Sequence, residues 1–265
     1  MSASKDGRFE YLGYLETHVF HACNLSCKGC SHFSPAVYAE DADVDLESFE
    51  RDIAKISELF DHVFIFRLLG GEPFLSKKLK EFAELSRKYL PTTDIRILTN
   101  GTLIPSSSPE LLDSLAQNNI GIDMSCYPIN RHMLEQVKNV AESHNLRFQV
   151  SFDTDVFHKR LTLHGSNNGA TNFASCPSAD CCFFMDGLLS NCSGPLVVKF
   201  INKRFGTQIG PFGDLLDLHQ PELTAADIKS FLAKPMDCCR FCNPTVEDFP
   251  WENKPDYSLQ DWIIA

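Results

Sequence analysis

The chain has 265 residues, 43% of them hydrophobic and 22% charged, with a formal net charge of −11 at pH 7. That length and apolar content suit one large α/β domain with a small annex. The acidic balance, without a Lys/Arg stripe, speaks against nucleic acid as a partner, and no apolar run reaches the length of a membrane span. The polar opening MSASKDGR does not read as a signal peptide, so the expectation is a soluble cytoplasmic protein.

Up to residue 153, strand and helix patterns alternate. YLGYLETHVF (11–20) reads as a strand, and Asp45 caps a helix with Leu46, Phe49, Ile53, Ile56 and Phe60 on one face. VFIFRLLGG (63–71) is a near-continuous apolar run ended by a glycine pair, as a buried parallel strand would be. Ser76 is expected to open the next helix (Leu79, Phe82, Leu85, Tyr89), and DIRILTNGT (94–102) is again strand and turn. Pro109 after Ser108 starts a third helix. IGIDMSC (120–126) is a fourth strand, Asn130 starts a fourth helix, and RFQVSFD (147–153) is a fifth strand. Strands alternating with helices predict a parallel sheet, either doubly wound or a full or partial barrel. The polar stretch HGSNNGATN from residue 164 marks a boundary; beyond it FFM and PLVVKFI read as short strands, and one helix is expected over roughly 223–233.

Eleven cysteines are many for a cytosolic chain, and ten fall into two groups, one near the start and one after residue 175. Without a secretory signal, and with an odd total, metal or iron–sulfur ligation is favoured over disulfides. The first group, HACNLSCKGCSHF (21–33), spaces Cys23, Cys27 and Cys30 with three and then two residues between them. A structural zinc site wants four ligands. On a [4Fe–4S] cube, three thiolates leave one iron without a protein ligand.

Cys-x3-Cys-x2-Cys after a first strand, with GGEPF (70–74) after the second and TNGT (99–102) after the third, resembles the radical S-adenosylmethionine (radical SAM) enzymes. The resemblance implies a partial (β/α)6 TIM-like barrel. It also implies a [4Fe–4S] cluster on Cys23, Cys27 and Cys30, with S-adenosyl-L-methionine held at Gly70, Gly71, Glu72, Pro73, Thr99 and Asn100. Ser125 and Tyr127, where the fourth strand ends, are candidates for its ribose or adenine. In the family the residue before the third cysteine is often aromatic and backs the adenine; here it is Gly29, and His32 or Phe33 is expected to take that role.

In the second group ten residues separate Cys176 from Gly187 and four more separate Gly187 from Cys192, with Cys239-x2-Cys242 downstream. This resembles the SPASM/twitch extension of radical SAM enzymes, in its shorter twitch form (a β-hairpin plus helix). The implied second, auxiliary [4Fe–4S] cluster would sit on Cys176, Cys192, Cys239 and Cys242. Cys238 competes with Cys239, Cys181 or Cys182 could replace a partner, and a four-cysteine zinc site stays open. The expected division is a radical SAM core over 1–165 and a twitch-type domain with a C-terminal tail over 166–265.

Strand alternation puts Tyr14, Glu16, His18 and Phe20 on one face, and Arg67 is a cation in an apolar strand. Glu16, His18 and Arg67 are therefore catalytic or substrate-binding candidates, with a Glu16–Arg67 ion pair as the plain alternative. Asp153, His158 and Arg160 are weaker candidates. Cys126 is either a hydrogen-atom donor or a buried small side chain. The layout resembles the 2-deoxy-scyllo-inosamine dehydrogenases among radical SAM enzymes. That implies oxidation of a secondary alcohol in a sugar, nucleotide sugar or aminocyclitol to a ketone, with the auxiliary cluster as electron acceptor and a flavodoxin or ferredoxin as electron donor. Carbohydrate epimerisation or dehydration, peptide modification, and a non-catalytic metal or iron–sulfur protein are the alternatives.

Overall fold

A computed structural model describes residues 9–264. Five parallel strands, β1 (Tyr11–Phe20), β2 (His62–Gly70), β3 (Asp94–Thr99), β4 (Gly121–Cys126) and β5 (Arg147–Asp153), lie in the order β5-β4-β3-β2-β1. Successive strands are joined by α1 (Leu46–Leu59), α2 (Leu79–Tyr89), α3 (Pro109–Gln117) and α4 (Leu134–Ser143). The helices start where their caps dictate: Asp45 accepts from the Glu47 N–H and Ser108 from the Leu111 N–H. The second helix opens at Leu79 and not at Ser76, because Pro73–Leu75 form a short 3-10 turn that Ser76 closes.

Alternate strand residues divide the molecule. Leu15, Val19, Phe66, Leu68, Ile95, Ile97, Ile122 and Met124 are buried against the helices. The opposite face carries Glu16, His18, Arg67, Arg96, Asp123 and Ser125. Apolar side chains on the first face drive the helices onto the sheet, leaving the second face for polar chemistry.

The mostly parallel sheet is consistent with the expected partial barrel, but its sixth parallel strand is not the next one along the chain after β5. Only two residues separate β5 from β6 (Val156–Leu161), too few for the crossover that a parallel neighbour requires. β6 instead leaves the sheet and pairs antiparallel with β10 (Cys242–Pro250). The sixth parallel neighbour is β7 (Phe183–Met185), which joins the other edge beside β1 through Glu16 and Phe183. β7 forms a hairpin with β8 (Leu188–Ser190), and the two-residue β9 (Leu216–Asp217) pairs with β8 to complete eight strands. Asp186 and Gly187 both have positive φ, 54° and 80°, as a two-residue hairpin turn of this hand needs. The chain beyond 165 thus completes the main sheet.

Three helices follow β6: α5 (Gly169–Ala174), α6 (Gly194–Phe205) and α7 (Ala225–Leu232). α6 contains PLVVKFI, which read as a strand. Pro195 stands in its first turn, Gly206 caps its end at φ 67°, and Leu196, Val197, Val198, Phe200 and Ile201 are all buried. A helix buried nearly all round shows no periodicity by which to tell it from a core strand. Among the described residues no helix is long and apolar enough to cross a membrane.

Candidate active site

The cysteine loop follows β1, and the loop after β2 is pressed against it. A Cβ on Gly70 would lie 2.0 Å from the Phe20 carbonyl oxygen, and one on Gly71 would lie 2.0 Å from that of Ala22. Only glycine permits this approach. Cys23, Cys27 and Cys30 line one cavity with Gly70, Gly71, Thr99, Asn100, Ser125 and Tyr127. Ser34 also lines it, with its buried hydroxyl turned toward the Cys30 thiol.

Glu72 and Pro73 stand behind this wall. Glu72 is fully buried and accepts from the Thr99 hydroxyl (2.7 Å), the Asn100 N–H (2.9 Å) and the Phe74 N–H (3.1 Å). Its carboxyl thereby ties the loop after β2 to the loop after β3. Burial still pushes it up to about 7. Asn100 reaches from the third strand end to Asn24 (2.9 Å) and the Cys23 sulfur (3.7 Å). Asn130, expected only to start a helix, donates to the carbonyls of Asn100 (2.7 Å) and Ser125 (2.9 Å) and accepts from the Tyr127 N–H (2.6 Å).

Burial raises the pKa of all three thiols, that of Cys27 to about 12, against the lowering effect of the hydrogen bonds they accept. Three thiols, that of Cys27 buried and those of Cys23 and Cys30 half-buried, in a glycine-walled cavity suit a positively charged iron cluster and a ligand bound upon it.

Of the two aromatic side chains expected to stand in for residue 29, His32 lines the cavity. Phe33 turns away into a second apolar core with Met185, Leu196 and Trp262. His18 does not reach the cavity either. It is fully buried behind His32, with its two ring nitrogens 2.8 Å from His32 and 2.9 Å from His21. Burial pushes His18 well below the usual imidazole value and His32 to about 4.

The polar face of the sheet holds a chain of charges. Arg67 faces Asp123 at 3.1 Å and donates to the Tyr14 hydroxyl (3.3 Å) and Ser151 (3.2 Å). Tyr14 in turn donates to Glu16 (2.8 Å), and Arg96 bonds both Asp123 (2.9 Å) and Asp94 (2.8 Å). The alternative of a direct Glu16–Arg67 pair is not what forms: Tyr14 stands between them, and the counter-ion of Arg67 is Asp123. Burial raises Glu16 to about 7 against the lowering effects of Tyr14 and Arg67. Cys126 is 1% exposed and packs with the helix-side core. That packing is the one expected of a small buried side chain.

The second cysteine group comes together from separated elements. Cys176 follows α5, Cys192 follows β8, Cys239 lies in the 3-10 turn Asp237–Phe241, and Cys242 opens β10. Each of Cys176 and Cys242 lies near Cys192 and Cys239. Cys238 sits between Cys192 and Cys239, close enough to hydrogen-bond both. Its thiol holds Cys239 down at about 7. Arg160 approaches the Cys176 sulfur at 4.0 Å. Cys181 lies at the margin near Cys176 and Cys192, while Cys182 packs in the main core. Four thiols gathered in this way are a donor set that an iron–sulfur cube and a zinc ion both take.

The radical SAM superfamily profile matches residues 17–142. Those residues form a radical SAM domain. The GTP 3′,8-cyclase of Sulfurovum sp. (strain NBC37-1) is 31% identical over 133 residues, 49% of this chain and 40% of that protein. The GTP 3′,8-cyclase of Campylobacter lari is 28% identical over 151 residues, 54% of this chain and 46% of that protein. The chain thus spans less than half the length of these curated relatives. BtrN, solved in complex with AdoMet and 2-DOIA, is 18% identical with a TM-score of 0.55 over 89% of this chain and 94% of that one, a likeness of fold. The radical SAM family implies an iron–sulfur cluster and S-adenosylmethionine, and the three cysteines with their cavity are where this chain can hold them.

Proposed function

We infer that the chain is a radical SAM dehydrogenase that oxidises a secondary alcohol of a small polyhydroxylated molecule, a sugar or aminocyclitol, to a ketone. The observation that carries this reading is the second cysteine group, with Cys176, Cys192, Cys239 and Cys242 mutually adjacent and Cys242 on a strand that runs to the first site. A cluster held by Cys23, Cys27 and Cys30 with S-adenosylmethionine would supply hydrogen-atom abstraction from the alcohol carbon, and a second cluster held by Cys176, Cys192, Cys239 and Cys242 would supply an acceptor for the remaining electron. A flavodoxin or ferredoxin is the proposed source of the electron that starts the reaction.

The chain's own residues do the rest. Cys23, Cys27 and Cys30 hold the first cluster, and the Gly70–Gly71 backbone with Asn100 shapes the seat of the cofactor. Glu16, near neutrality and held by Tyr14, takes the hydroxyl proton. Arg67 fixes the Tyr14 hydroxyl and so the carboxylate. Arg160 places a positive charge beside Cys176, where an arriving electron adds negative charge.

Likeness of fold to BtrN over nearly the whole chain supports this choice, and identity with the GTP 3′,8-cyclases supports a second, that the substrate is GTP. The test is turnover by anaerobically reconstituted protein with 2-DOIA, a panel of cyclitols and sugars, and GTP. The proposal expects one ketone for each 5′-deoxyadenosine formed from an alcohol substrate. Consumption of GTP with no alcohol oxidised would replace the dehydrogenase by a cyclase.

A further inference from the structure

The first cysteine loop lacks an aromatic side chain at position 29, and another part of the chain occupies that space. Gly29 has φ +69°, and a Cβ on it would lie 2.5 Å from the Phe249 ring of β10. Opposite Phe249 on the β6/β10 ribbon is Phe157, which lines the same cavity as the three cysteines. Phe157 meets Tyr127 edge-on, with centroids 5.4 Å apart. Trp251, just beyond β10, stacks on Tyr127 with centroids 5.6 Å apart and planes 4° apart. Its buried indole N–H is turned toward the Cys27 thiol.

The segment after β10 is pinned along the cysteine loop. The Lys28 N–H donates to the Glu252 carbonyl (3.0 Å), the Lys254 N–H to the Ser26 carbonyl (2.7 Å), and the Trp262 indole to the Cys30 carbonyl (3.1 Å). These bonds fix the aromatic group relative to the cysteines, which a wall for a flat ligand requires.

We propose that the β6/β10 ribbon supplies the wall for the adenine ring of the adenosyl cofactor, with Phe157 and Tyr127 touching the ring and Trp251 holding Tyr127 in place. Phe249 plugs the space above Gly29, so the loop needs no aromatic side chain of its own. Adenine offers a flat π-face that such rings bind by stacking and edge contacts. This rests on the radical SAM reading and adds the residues that recognise the adenine half of the ligand. Because β10 opens at Cys242, the same strand reaches both cysteine groups.

The test is calorimetric binding of S-adenosyl-L-methionine, and separately of L-methionine, to the anaerobically reconstituted full chain. Phe157→Leu and Trp251→Leu should each weaken S-adenosylmethionine about tenfold and leave methionine binding unchanged. Phe157→Tyr and Trp251→Phe, which keep a ring, should retain affinity. Unchanged S-adenosylmethionine affinity in the leucine variants overturns the proposal. So does an equal loss for methionine, or a loss of iron or helical signal in all four variants, since each assigns these side chains to the loop's folding. If the unaltered, iron-loaded chain binds no S-adenosylmethionine, the radical SAM reading itself fails, an outcome distinct from the others.

Discussion

Cys23, Cys27 and Cys30 lie within eight residues on one loop, whereas Cys176, Cys192, Cys239 and Cys242 are drawn from four places along 67 residues of chain. The first site is held by loops at the ends of three neighbouring parallel strands, locked by Glu72, Asn100 and Asn130. The second depends on a hairpin, a 3-10 turn and a two-stranded ribbon. Its framing contacts reach far across the sequence: buried Asp52 of α1 accepts from the Gly187 N–H (2.9 Å) and pairs with His219 (2.7 Å), while Asn172 donates to the Cys239 carbonyl (2.8 Å). Local spacing can declare a site whose ligands share a loop. For a site assembled from distant segments the resemblance of the cysteine pattern can name the ligands, but only the fold shows the contacts that gather them.

That difference gives a graded set of expectations. The largest effect falls on the first group: changing Cys23, Cys27 and Cys30 together to Ala abolishes 5′-deoxyadenosine formation, measured by chromatography, while iron at the second group remains. Next, Cys239→Ala with Cys242→Ala should lower ketone formation about 100-fold, equal to about 2.7 kcal/mol, yet leave S-adenosylmethionine cleavage measurable. A fall of both products together would merge the two sites into one function and break the comparison.

Smaller effects sharpen it. Gly71→Ala places a Cβ against the Ala22 carbonyl and should cost about 2–3 kcal/mol in denaturant unfolding, with loss of cluster loading at the first site alone. The rate of alcohol oxidation should rise with pH through about 7, where Glu16 loses its proton and becomes able to accept one. In Glu16→Gln that limb disappears; an unaltered profile assigns the proton to another group. The smallest effect is that of Cys126→Ala, which removes a buried core side chain for about 1 kcal/mol and leaves turnover intact.

Much of the first half was legible in the sequence because apolar periodicity and caps carry it: Asp45, Ser108 and the strand ending in Gly70–Gly71 stand where the pattern placed them. The exit of β6 from the sheet was encoded in a two-residue connection whose consequence is topological. PLVVKFI misled because burial on nearly every side erases helical periodicity. At the candidate site, the tie between Arg67 and Asp123 was hidden since Asp123 sits in a strand that otherwise reads as apolar. Phe157, Phe249 and Trp251 carry no local signal, since they meet the cysteine loop across more than 100 residues of chain. The one available hint was Gly29, where an aromatic side chain is customary in the family and another part of the molecule had to supply the ring.

The central claim is that the two cysteine groups hold two separate iron–sulfur clusters. Its most direct test is the count of iron, sulfide and zinc per chain after anaerobic reconstitution, for the unaltered protein and for the Cys23/Cys27/Cys30→Ala variant. The account predicts about eight irons falling to about four. About four irons with one zinc in the unaltered protein, falling to zinc alone in the variant, would contradict it and remove the proposed electron acceptor.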